Sequence, residues 1–305
     1  MSEHFVQAPH WEYWIALYFF VAGIAGGAYT LATLLRLFGS PQDEPTARVA
    51  FTWAFPLAVV CGIFLTVDLG QPLRFWHMLV NTTPGAGGLN FKAWSPISIG
   101  SWALLAFSFF AFVSFLEVLG KRGTDRTVSP GMVAFNVVGS IVALFLASYT
   151  GVVLSVSNQP VWSDSYSIGG LFVASALSAS AAFLGWMSRY RTDDALPTEA
   201  RLAQSDGYFV LLELIMIASF FTTLAAAGQL WRELGTAWVI GWILIVASCI
   251  PPLLGLAGAR RVSYSTSGGA AAAMRVAVGV NLLGLLGVII GVLILRFVVI
   301  FSAQF

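Results

Sequence analysis

Eight apolar runs, each about twenty residues or longer and divided by polar stretches, decide the fold class of this chain before any single residue does. A bilayer core about 30 Å thick is crossed by about 20 apolar residues in a helix, and a helix satisfies its own backbone polar groups where no water is present. The runs fall at roughly 12–37, 46–69, 95–119, 130–154, 165–189, 204–228, 235–257 and 271–299. With 58% of 305 residues hydrophobic and 10% charged, an ordinary soluble domain is excluded. The expectation is an all-α integral membrane protein of eight transmembrane helices, residues 1–305 forming a single transmembrane domain, with the helices grouped as two four-helix bundles.

Basic residues set the orientation. Arg36, Arg48, Lys121, Arg122, Arg126, Arg189, Arg191, Arg201, Arg260, Arg261 and Arg275 follow odd-numbered spans, whereas Arg74, Lys92 and Arg232 follow even ones. The positive-inside rule then predicts both termini on the non-cytoplasmic side. Met1-Ser2-Glu3-His4 carries no basic n-region, so no removable signal peptide is expected. A formal net charge of +1 argues against nucleic acid as a partner and leaves lipids, lipophilic molecules and proteins. Cys61 and Cys249 lie inside spans without a Cys-x-x-Cys pattern, and His4, His10 and His77 lie at or outside the outer edge. No iron–sulfur cluster and no haem is therefore expected in this chain.

The topology returns four distant pieces to the outer edge. Trp11, Trp14 and Tyr18 form a stripe entering the membrane; Asp68 ends the second run, with Arg74 and His77 after it; Tyr149 lies near the end of the fourth; and Ser157-Asn158-Gln159-Pro160-Val161-Trp162-Ser163-Asp164 closes that hairpin. At about 1.5 Å per residue, Tyr18 and Tyr149 reach similar depths, roughly 10 Å in. Aromatic belts explain tryptophans taken singly, but an acid beside a base and a histidine at a lipid boundary points to function. A quinone headgroup needs hydrogen-bond donors, a proton route and an apolar wall. Tyr18 and Tyr149 can donate, and Asp68 or His77 can relay protons.

Four ordered motifs then become recognisable: Ala22-Gly23-Ile24-Ala25-Gly26-Gly27, Asp68-Leu69-Gly70-Gln71-Pro72-Leu73-Arg74-Phe75-Trp76, Ser95-Pro96-Ile97-Ser98-Ile99-Gly100-Ser101-Trp102, and Tyr149-Thr150-Gly151 followed by Pro160-Val161-Trp162. On these the chain resembles the NrfD/PsrC family, membrane subunits of polysulfide-reductase-like molybdenum enzyme complexes. The likeness covers most of the first half; beyond about 165 it rests on hydrophobic spans alone. The resemblance implies eight helices with both termini outside, and no resident redox centre. It also implies a menaquinone or ubiquinone site near the outer face, beside a four-cluster iron–sulfur subunit that leads to a molybdopterin-type catalytic subunit. Tyr149 corresponds to the family's quinone-contacting tyrosine; Tyr18 stands where some relatives have a histidine; Asp68 and Arg74 match the signature. His77, Trp14 and Asn158 join the candidate pocket on chemistry and topology.

Glu213 falls mid-span in the sixth run, with Asp206 one to two turns away and Asn281 and Asn136 in other spans, which makes a proton path conceivable. Pro251-Pro252 must break the hydrogen-bond ladder of the seventh helix and kink it, which by itself implies no function. Rival classes are a secondary transporter, suggested by eight spans with interrupted helices and the buried Glu213, and a membrane anchor without quinone chemistry.

Overall fold

Ser95-Pro96 and Ser129-Pro130 each start a helix for one reason. Proline at the first helical position gives up an amide that has no intrahelical partner, and the serine before it caps a free amide of the first turn. Ser95 Oγ accepts from Ser98 N at 3.4 Å and Ser129 Oγ from Met132 N at 3.2 Å. Gly70, Gly120 and Gly228, just past three helix ends, take left-handed φ values of 66°, 79° and 73°, where a Cβ would be strained.

The computed structural model describes residues 10–85, 87–121, 128–189, 196–262 and 281–304. The chain runs α1 (Tyr13–Phe38), a 3-10 turn (Pro41–Asp43), α2 (Glu44–Asp68), a 3-10 helix (Pro72–Met78), β1 (Val80–Asn81), β2 (Gly88–Leu89), α3 (Pro96–Val118), α4 (Pro130–Ser155), α5 (Ile168–Arg189), α6 (Leu196–Ala226), α7 (Leu230–Leu234), α8 (Trp238–Ser248), α9 (Ile250–Val262) and α10 (Asn281–Phe301). The two short strands pair antiparallel, Val80 with Leu89 and Asn81 with Gly88. Eight helices among the described residues are long and apolar enough to cross a membrane.

Two spans depart from their expected outlines. Helix α6 starts at Leu196 rather than near 204, because a hydropathy window stops where polar residues begin while the helix continues. The extension is anchored by Thr198, which donates to Asp43 at 2.6 Å, and by Arg201, which pairs with the same carboxylate. The seventh span is interrupted at Cys249, between α8, which ends at Ser248, and α9, which begins at Ile250, although Cys249 keeps helical angles, φ −76° and ψ −17°. Pro251 and Pro252 lack the amides that would continue the ladder. Of the eighth expected span, residues 271–280 lie outside the described residues.

Helix α1 packs against α2, α4, α5 and α10, while α2 meets α3 and α3 meets α4; α5 also touches α6, and α10 lies against α8. The small residues of α1 permit this centrality. A Cβ at Gly26 would stand 2.9 Å from the carbonyl oxygen of Ala143, and one at Gly27 would stand 2.8 Å from that of Ala176. Backbones therefore touch where larger side chains would hold them apart. The opposite faces of α2, α3, α6 and α8 are left outward and apolar.

At the end of the molecule where α1 finishes, charge is buried but paired. Arg36 hydrogen-bonds Glu44 at 2.7 Å, stands as an ion pair 2.9 Å from Glu117, and donates to Asn136 Oδ1 at 3.0 Å. Arg48 reaches the same Glu44 at 3.3 Å. Asn136 passes the network inward, donating to Ser114 at 2.9 Å, and Tyr29 shares a 2.8 Å bond with Ser114. Ions in a low-dielectric interior persist when matched in this way.

Candidate functional site

At the other end, where α1 begins, α1 to α4 enclose a cavity of about 650 Å³. Its floor and sides are α1 (Ile15, Tyr18, Phe19), α2 from Ala58 to Asp68, a stripe of α3 (Ile97, Gly100, Ser101, Leu104, Leu105, Ser108) and α4 (Tyr149, Val153). Its roof is the 3-10 helix, through Phe75 and Met78. Three residues per 3-10 turn put side chains i and i+3 on one side, so Phe75 and Met78 face inward together while Arg74 and His77 share a different side.

The roof is tied down. Asn90 donates from its side chain to the His77 carbonyl at 3.0 Å, and its own carbonyl accepts from Trp102 Nε1 at 3.2 Å. Ser98 Oγ accepts from Lys92 N at 3.1 Å. The loop between α2 and α3 is thereby an ordered cap carried on α3.

Two phenols face each other in the cavity on different terms. Tyr149 donates to the carbonyl of Pro96 at 2.5 Å, and its ring occupies space that only glycine leaves at position 100, since a Cβ there would collide with three of its atoms. Tyr18 is 3% exposed, and its hydroxyl has no hydrogen-bond partner among the described residues. Tyr149 and Cys61 are close enough to interact with it electrostatically. The hydroxyls of Thr66, Ser101 and Ser108, which also line the cavity, donate to carbonyls of their own helices. Asp68, the last residue of α2, stands exposed at the mouth with Glu12 as its charged neighbour.

The structure thus brings together Tyr18, Asp68 and Tyr149. Trp14 does not line the cavity; it packs on Tyr13 and Phe64, ring centroids 4.6 and 5.7 Å away. Arg74 is exposed and forms no ion pair with Asp68, and half-buried His77 sets its ring edge-on to Trp76. Asn158 is exposed beyond the end of α4. Trp11, expected only as part of the aromatic stripe, is a wall residue.

Beside the cavity, the ends of the described chain are clamped together. Trp11 N donates to Gln304 Oε1 at 2.9 Å, and its ring lies 5.0 Å from that of Trp162. Trp162 is fully buried and donates to the Val299 carbonyl at 2.7 Å. The turn that delivers it holds Val161 at φ 74°, a strained conformation for a β-branched residue, steadied by Val161 N donating to Asp164 Oδ2 at 3.0 Å. Nearby, Glu233 of α7 is fully buried and accepts from Trp242 Nε1 at 2.7 Å and Ser302 Oγ at 2.6 Å. Burial pushes the Glu233 carboxyl above its ordinary range, and the bonds from Ser302 and Trp242 pull it partway back. Nothing in the sequence marks this trio, whose members lie in three separate stretches.

A second buried group sits deeper. Asp206 accepts from Ser178 at 2.6 Å, and Glu213, 3% exposed, makes no hydrogen bond among the described residues. Its charged neighbours are Arg296 and Asp206. Arg296, a basic residue inside the last expected span, donates to Ser175 Oγ at 2.9 Å and the Phe172 carbonyl at 3.0 Å, with its guanidinium 3.8 Å from the centre of the Phe172 ring. Asn136 is not part of this group, being held in the Arg36 network. The side chain of Asn281 lies outside the described residues. No group of three or more metal-ligating side chains occurs among the described residues.

These features define an all-α, multi-pass membrane protein with a mainly apolar cavity under a structured cap. The sequence profile of the family described as polysulphide reductase, NrfD, matches residues 1–305, and the chain belongs to that family. It is 34% identical over 76 residues to a selenate reductase subunit of Mesobacillus selenatarsenatis, covering 25% of this chain and 18% of that one. It is 27% identical over 183 residues to a polysulfide reductase subunit of Wolinella succinogenes, covering 55% of each, so the chain matches less than two thirds of either relative's length. With protein NrfD of Escherichia coli it shares 27% identity over 230 residues, 70% of this chain and 71% of the other.

Proposed function

We propose that this protein is the membrane subunit of a multi-subunit oxidoreductase in the bacterial inner membrane. In this reading it exchanges electrons between the menaquinone or ubiquinone pool and an iron–sulfur subunit docked on the cap, which serves a molybdopterin-type catalytic subunit. The observation that carries this reading is the hydroxyl of buried Tyr18, without a hydrogen-bond partner among the described residues, on the wall of a cavity that also presents Tyr149 and Asp68. A neutral headgroup with two opposed oxygens fits that inventory, and the apolar walls suit its ring. Family membership supports it, as do the names of the reductase subunits to which the chain is similar.

The residues divide the work. Tyr18 donates to one headgroup oxygen. Tyr149, its own proton engaged by Pro96, offers a lone pair to the hydroxyl of the reduced form. Asp68 at the mouth hands protons to the aqueous phase, which the distribution of basic residues makes the non-cytoplasmic one. A quinol supplies two electrons and two protons at such a site; the partner's clusters take the electrons.

Tyr18→Phe in the assembled complex tests this. Losing a hydrogen bond that strengthens as charge develops costs about 1.5–3 kcal/mol, so quinol kcat/KM should fall roughly 10- to 100-fold. Undiminished turnover with unchanged inhibitor binding would overturn the assignment.

A second reading concerns protons crossing the membrane. Glu213, buried beside Arg296 and Asp206 and near the interrupted seventh span, has the surroundings of a group that takes up and releases a proton. Glu213→Gln should lower the number of protons moved per electron while quinol oxidation continues. An unchanged ratio in proteoliposomes would remove the idea.

A further inference from the structure

The cavity is much longer than a ring headgroup. Along α2 it runs from Asp68 to Ala58 and along α3 from Ile97 to Ser108, which at about 1.5 Å per residue is roughly 15 Å of depth on each helix. Polar groups suited to a headgroup are confined to Tyr18, Tyr149 and Asp68, since the hydroxyls of Thr66, Ser101 and Ser108 are spent on their own helices; the rest is an apolar corridor between α2 and α3. Its rim is open to lipid, since Val59 and Ile63 on one helix and Leu105 on the other are about half exposed.

Charge decides what enters. Among the described residues, Asp68 is the only carboxylate on the wall and no Lys, Arg or His lines it, so a phospholipid would bring its phosphate toward an acid with no cation to receive it. A long-tailed molecule with an uncharged head has no such conflict.

We propose that the α2–α3 corridor is the entry path and seat for the isoprenoid tail of the quinone, and that Gly62 sets its width. This rests on the quinone reading above. Gly62 lines the corridor, and a Cβ there would meet no atom within 4 Å. Gly100 lines the same cavity but is backed by Tyr149. Bulk at Gly62 therefore fills the corridor without pressing on the protein, and a tail that cannot lie in the corridor holds its headgroup short of Tyr18.

The test compares two substrates in the assembled complex carrying Gly62→Phe: a long-chain isoprenoid quinol, and menadiol, which has the ring but no tail. The ratio of kcat/KM for the long-chain substrate to that for menadiol should fall about tenfold or more, the scale on which steric fit discriminates. Gly62→Leu, which adds less bulk in the same space, carries the test where the larger ring blocks assembly. A ratio that stays put, including an equal loss on both substrates, overturns the tail corridor while leaving the headgroup site standing. A wild-type complex that oxidises neither substrate overturns the quinone reading itself.

Discussion

Replacing Gly100 by alanine adds one methyl group and asks whether the Tyr149 ring is held where the chemistry needs it. The new Cβ would fall well inside contact distance of Cε1, Cζ and the hydroxyl oxygen of Tyr149, whereas non-bonded carbon atoms settle about 3.5–4.0 Å apart. The ring must withdraw by about 1 Å or more, and it cannot do so while keeping its 2.5 Å bond to the carbonyl of Pro96, which lies one turn from Gly100 on the same helix. Overpacking of this kind costs about 1–3 kcal/mol, and loss of the hydrogen bond about 0.5–1.5 kcal/mol. A 1 Å displacement of a positioning group costs up to about 100-fold in rate. The expected outcome is a complex that assembles with a modestly lowered Tm and oxidises quinol roughly 10- to 100-fold more slowly. Adding Tyr149→Leu should recover much of the stability but none of the rate, because the obstruction and the phenol depart together. Full turnover and unchanged Tm in Gly100→Ala alone would refute the idea that Gly100 exists to seat Tyr149.

Arg36→Met should be destabilising at the opposite end, by about 3 kcal/mol, because among the described residues it leaves buried Glu44 with only the 3.3 Å contact to Arg48 and Glu117 with only the partly exposed Lys121. Arg36→Lys, which keeps charge but not the fork, should cost less; thermal unfolding in detergent that ranks the two equally would contradict the network as drawn. Glu233 has a distinct signature in pH. Its carboxyl titrates higher in the folded protein than in the unfolded chain, so its contribution is fully present below the unfolded value and is lost as pH rises through the folded one. Tm should therefore decline with rising pH over that window more steeply in the wild type than in Glu233→Gln, and parallel profiles would show that the group does not sense its burial.

Much of the fold was legible because hydropathy is a collective signal. Eight runs of about twenty apolar residues leave little choice in lipid, and Pro251-Pro252 announced an interruption of the seventh span without any knowledge of its neighbours. The site was legible only in part. Tyr18, Asp68 and Tyr149 line one cavity, yet Arg74 and His77, close to Asp68 in sequence, turn aside. That outcome depends on a 3-10 helix of seven residues, a geometry with no hydropathy signature, which gives the inward positions to Phe75 and Met78. What Arg296 and Glu233 touch was unreadable for a different reason. Their partners, Ser175 and Phe172 for one, Trp242 and Ser302 for the other, come from segments whose adjacency is fixed by packing and not by any local pattern.

The left-handed Val161 has a bearing on how the molecule is made. Its turn buries Trp162, but the acceptor for that indole is the carbonyl of Val299, and the acceptor for the Trp11 amide is Gln304. Both arrive with α10, which leaves the ribosome after the helices before it, since synthesis runs from the N-terminus. Until then the tight turn has its own bonds, among them that from Val161 N to Asp164, and Trp11 has the rings of Phe19 and Trp162. Arrival of α10 is thus registered beside the site itself: a chain stalled before α10 keeps its earlier spans but lacks the bonds that hold Trp162 and Trp11.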